Sequence, residues 1–210
     1  HADHMHLRIY CSEQDRLEGC LNGSPVWDWV DTHPDAMNAR LASLEVGLDD
    51  PDPETRGKVL DFLQRLDAQE SAGMLATKAA FDKEPRLRLQ ALALLRRFRA
   101  SDPEVVSGLY RARLAHSDLP TVRAIWAVVG AAGDDAPVEL LREGLASYRT
   151  LGGVRESLLA AEATAHVMNK ALVPALIERL IDEDPAVRAA AAESLRRITN
   201  QGWKVRWDRS

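Results

Sequence analysis

Cysteine, aromatic side chains and long apolar runs are all scarce in this 210-residue chain, and each scarcity excludes something. Cys11 and Cys20 are the only cysteines, too few for a disulfide framework and without the second pair that a zinc ribbon needs. On one helix their separation of nine residues is about two and a half turns, which points them to opposite faces. We therefore expect two small packed side chains and a reducing cytoplasm as the setting. No run of ~18 apolar residues is available to cross a membrane, and no charged-then-apolar leader opens the sequence. Strand-like alternation is nearly missing, with Leu7 to Tyr10 as a weak instance. A Gly-rich phosphate loop, a Ser nucleophile elbow, a Cys/His pairing and an HExxH cluster are absent as well. These absences point away from catalysis, and no cofactor or metal is expected.

What is present is Ala, Leu, Arg and Glu in abundance, with Gly and Pro gathered between apolar runs, the composition of an all-α chain. One stretch, "IDEDPAVRAAAAESLRRI", sets an Asp, a Pro and an Arg ahead of an Ala-rich helix, and the same three residues recur upstream. The joints end at Arg56, Arg88, Arg123, Arg155 and Arg188, at intervals of 32, 35, 32 and 33 residues, a period that marks stacked helix pairs. Asp50-Pro53-Arg56, Asp82-Pro85-Arg88 and Asp182-Pro185-Arg188 are complete. The third joint has Ser117 in place of Asp, with Asp118 next to it; the fourth has Arg149 and Gly152 in place of Asp and Pro.

The spacing has a physical reading. Pro suits the first helical turn, where its missing N–H is not needed, and it stops the preceding helix. Asp52 and Asp184 stand where a helix cap belongs. An Arg in the first turn meets the helix dipole unfavourably, so it is not there for helix propensity. A charge-assisted bond to the Asp, within or between repeats, would fix the stacking angle. After each Arg the offsets of three, four, seven and ten residues are mostly apolar: Val59, Leu60, Leu63, Leu66; Ala91, Leu92, Leu95, Phe98; Ala191, Ala192, Leu195, Ile198. That is one face of a helix.

The joint and the Ala/Leu helix behind it resemble the HEAT-repeat family in its short bacterial form, over roughly Pro34 to Asn200 in about five repeats. The resemblance implies an α-α superhelix, right-handed, whose second helices line a concave face. It implies no single activity, since relatives include scaffolds, bilin lyases or their partners, and a class that excises alkylated DNA bases. The closing "ITNQGWKVRWDRS" is similar to Trp-containing tails that come after some such repeats.

Two repeats depart from the rule. At offsets seven and ten after Arg123 stand Gly130 and Gly133, and at offset seven after Arg155 stands Glu162. One reading rotates the fourth helix so that Leu158, Ala161, Ala165 and Met168 face the core and Glu162 reaches solvent. The other gathers Glu162, His166 one turn on, and Trp126 into a polar pocket with room beside the glycines. Glu162 and His166 are spaced i, i+4, but two residues make no metal site. Charge is uneven too: residues 1–55 hold twelve acids against three bases, whereas 82–123 hold nine bases against five acids. A basic middle attracts phosphates or acidic surfaces, although the overall charge of −5 argues against general duplex binding.

The expected organisation is a flexible terminus or tag remnant at 1–11, carrying His1, His4 and His6, and an N-terminal cap at 12–31 with Ser12 and Asp15 in capping-box spacing. A repeat array comes next at 32–200, then a cap at 201–210. Trp27 and Trp29 at one end, and Trp203 and Trp207 at the other, would close the stack. The expected function is a non-catalytic interaction or scaffold module holding a peptide or protein in the groove, with a lyase-type or base-excision enzyme or accessory as the alternative. Trp126, Glu162 and His166 are the candidate binding residues. Asp50, Arg56, Asp82, Arg88, Arg123, Arg155, Asp182 and Arg188 are the structural joint. The partner is expected to be a protein or peptide rather than a specific nucleic acid or a membrane.

Overall fold

The computed structural model describes residues 43–66, 71–98 and 102–199. The chain divides into two compact units, residues 1–46 and 47–210, and every helix from Pro53 onward belongs to the second. The expectations placed on the two caps, on Leu7 to Tyr10 and on both cysteines lie outside the described residues.

Helices succeed one another in pairs: α1 (Pro53–Leu66), α2 (Ala72–Phe81), α3 (Pro85–Phe98), α4 (Pro103–Ala115), α5 (Leu119–Ala131), α6 (Val138–Ala146), α7 (Glu156–Thr164), α8 (Val173–Arg179) and α9 (Pro185–Thr199). Pro53, Pro85, Pro103 and Pro185 each open a helix, where their missing N–H breaks no bond. Asp52 caps α1 by accepting from the backbone N–H groups of Glu54 and Thr55, and the Asp184 carboxylate accepts from the Ala186 N–H at 2.8 Å. Those bonds, that of the Glu54 N–H foremost, hold the Asp52 carboxyl below its ordinary value.

First and second helices pack as α2 with α3, α4 with α5, α6 with α7 and α8 with α9; the second helices then stack in the series α1, α3, α5, α7, α9. The result is an all-α solenoid whose apolar core runs between the two layers through Leu60, Leu63, Leu75, Leu95, Ile125 and Leu141, each no more than 2% exposed. Burial on this scale stabilises by about 1.5–3 kcal/mol per large side chain. Among the described residues no helix is long and apolar enough to cross a membrane.

The buried face also fixes the true register of the repeats. Leu87, Arg88, Ala91, Leu92, Leu94 and Leu95 of α3 correspond to Thr121, Val122, Ile125, Trp126, Val128 and Val129 of α5, each 34 residues on. The pattern returns in α7 at Glu156, Ser157, Ala160, Ala161, Ala163 and Thr164. Val122 and Ser157, rather than Arg123 and Arg155, thus hold the helical position of Arg88.

The slips have local causes. In the third repeat Pro120 is not the first helical residue: Asp118 caps α5, its carboxylate accepting from the Thr121 N–H at 2.9 Å, and Leu119 starts the helix. In the fourth, a short antiparallel hairpin replaces the Pro turn, β1 (Thr150–Leu151) against β2 (Val154–Arg155). Gly152 and Gly153 turn it with φ of 54° and 83°, the two positive values a type I′ turn requires. The sequence pattern predicts no strand here, because two residues a side give no alternation to see.

Candidate functional site

At the joint, Arg56 and Arg88 each do two things. Arg56 Nη1 donates to the Asp50 carbonyl at 2.8 Å, while its Nε and Nη2 donate to the Asp82 carboxylate of the next repeat, both at 3.1 Å. The Asp82 bond raises the Arg56 pKa above its ordinary value. Arg88 repeats the arrangement, donating to the Asp82 carbonyl at 3.0 Å and to Asp118 Oδ2 at 3.1 Å, and Arg188 donates to the Asp182 carbonyl at 2.8 Å. Burial raises the Asp118 pKa, but the bonds from Thr121 and Arg88 outweigh it and leave the carboxyl below its usual range. Arg155, although off the helix, still donates to Asp182 at 2.7 Å. Arg123 differs from the others: it is exposed and makes no hydrogen bond or ion pair among the described residues.

Where the fourth repeat lacks its Asp, a buried charge cluster takes over. Arg113 of α4 donates through Nε to Glu156 Oε1 at 2.8 Å, and Ser147 donates to Glu156 Oε2 at 2.7 Å. Arg149 reaches back to the carbonyls of Arg113 and His116, both at 2.8 Å. Glu156 is fully buried, so this pairing is what makes its charge tolerable. Sequence reasoning missed the cluster, since its members lie up to 43 residues apart.

The groove lies on the second-helix layer. A cavity of about 440 Å³ is lined by Arg96 of α3, Arg123, Trp126 and Ala127 of α5, Glu162 of α7 and His166 in the turn after it. The three residues singled out from the sequence therefore line one cavity, in company with two arginines that were not assigned to it. Glu162 and His166 are exposed. Trp126 occupies the position of Leu92 and is 2% exposed, so it forms the floor. Its ring runs down between the layers, where a Cβ on Gly144 of α6 would stand 2.1 Å from Cη2, and the Arg113 guanidinium lies 5.6 Å from the ring centroid.

Gly130 and Gly133 both line the cavity, each for a reason of its own. A Cβ on Gly130 would sit 3.0 Å from the Ala163 carbonyl, so its bareness lets α5 and α7 approach. Gly133, at φ 62°, turns the chain out of α5. The fourth helix buries Ser157, Ala160, Ala161 and Thr164, leaving Met168 exposed rather than in the core.

Arg96 and Arg123 have no intramolecular partner among the described residues, so the cavity holds two free guanidiniums, one carboxylate and one imidazole. Among the described residues no group of three or more His, Cys, Asp or Glu side chains is placed to hold a metal. No curated protein matches the chain. Residues 172–202 match the family model of the HEAT repeat. That segment covers α8, its Asp-Pro-Arg joint and α9, and the same helix pairing runs through the stack before it.

Proposed function

We propose that the chain is a non-catalytic interaction module that holds an extended, acidic peptide segment along the second-helix groove. The observation that carries this reading is the pair Arg96 and Arg123, from successive second helices, opening into one cavity without carboxylate partners of their own. Guanidiniums bind carboxylates through two parallel hydrogen bonds, which suits acidic side chains better than a basic partner. Glu162 and His166 then set the polarity of the far end, and Trp126 stays a floor rather than an anchor.

Short fluorescent peptides of matched apolar content, one acidic, one neutral and one basic, test the reading by anisotropy at ~150 mM salt. The acidic peptide should bind best, and Arg123→Glu should weaken it at least tenfold, ~1.4 kcal/mol, with unchanged helicity. Equal affinity for all three peptides, or an Arg123→Glu variant that binds like the parent, would rule the groove out as the binding site.

A further inference from the structure

A second surface lies along the turn edge, away from the groove residues. Phe81, Leu114, Tyr148 and Ile181 are 58%, 56%, 74% and 88% exposed. Each sits at the end of a first helix or within two residues after it, in four successive repeats, at intervals of 33, 34 and 33 residues. Large apolar side chains exposed singly are ordinary, but a repeated row is not. Antiparallel pairing puts these helix ends along one edge, with α2 packed on α4 and α6 on α8, and the row forms a strip along it. Arginines interleave it: Arg111 lies 5.6 Å from the Phe81 ring centroid, and Arg155 and Arg179 lie 5.8 and 6.0 Å from that of Tyr148.

We propose that this edge is a homodimer interface, the strip of one copy lying antiparallel on that of a second. Two features of the strip select this occupant. The spacing reads the same in both directions, so a two-fold axis perpendicular to the stack sets Phe81 against the partner's Ile181 and Leu114 against the partner's Tyr148, a self-complementary pairing. Charge fixes the direction. Lys83 and Glu183 hold equivalent places, one residue after Asp82 and Asp182, at opposite ends of the strip. Lys83 is exposed, and Glu183 is 95% exposed at 4.0 Å from Arg155. Antiparallel pairing brings Lys83 to Glu183 twice, whereas parallel pairing would set like charges together. Glu84 and Asp184, next along, repel in the same register and keep the association reversible.

Sedimentation velocity on the full chain over a concentration series tests the proposal. The parent should pass from monomer to dimer as concentration rises. Ile181→Glu, at a site too exposed to disturb the fold, should remain monomeric with unchanged helicity. Lys83→Glu should weaken the dimer roughly tenfold, and Lys83→Glu with Glu183→Lys should restore it. A parent that stays monomeric throughout, which would leave the strip to a different protein, overturns the proposal. So does a dimer indifferent to Ile181→Glu, or a charge swap that fails to restore association.

Discussion

Arg88 and Arg123 look interchangeable in the sequence and do different work in the fold. Arg88, 7% exposed, satisfies carbonyls of its own turn and a carboxylate of the next repeat. Arg88→Ala should therefore lower stability by about 1–3 kcal/mol, because it leaves acceptors unmet at a part-buried turn. Arg123→Ala should change stability by less than about 0.5 kcal/mol, as exposed substitutions usually do. Urea denaturation of both variants checks the pair, and equal losses would mean that Arg123 is a joint residue after all.

Acid should act through the same bonded carboxylates. Asp52 and Asp118 lie below their ordinary values, and Glu193, bonded by Arg196 and Arg197, falls to about 2. Each binds a proton more readily unfolded than folded, so its contribution is present above the unfolded pKa and is lost as pH falls through the folded one. Thermal midpoints should hold steady near neutral pH and fall between about pH 5 and pH 2; melts in stepped buffers check this.

At the scale of the element, the sharpest constraint is Trp126 against Gly144. With Cη2 only 2.1 Å from where a Cβ would stand, α6 cannot keep its place if that glycine gains a side chain. Gly144→Ala should lower stability by about 1–3 kcal/mol through overpacking, and Trp126→Leu in the same chain should recover part of the loss, since Leu92 fills the equivalent place in the second repeat. Thermal melts of the single and double variants check it; a double variant no better than the single would show that the ring is not the obstacle. The Gly152-Gly153 hairpin is the other element-scale departure. It carries Arg155 off the helix yet leaves it within reach of Asp182, so the link to the next repeat survives a changed turn.

For the whole molecule, the sequence by itself determined the helical class, the repeat and the joint. Those arise from local chemistry: Pro can open a helix but not continue one, Asp caps the next, and apolar residues recur on one helical face. It also named Trp126, Glu162 and His166 as neighbours, which line one cavity. Only the tertiary structure decided which way the residues of the third and fourth repeats face. There the arginine no longer marks the register, because a displaced Pro in one turn and a hairpin in the other shift the helix start by a residue or two, and each residue of shift turns a helix by ~100°. That shift buries Trp126, frees Arg123 into the groove and leaves Glu162 on the surface. The Arg113, Arg149 and Glu156 cluster and the row from Phe81 to Ile181 were equally beyond the sequence: their members are distant along the chain, and stacking one helix pair on the next is what brings them together.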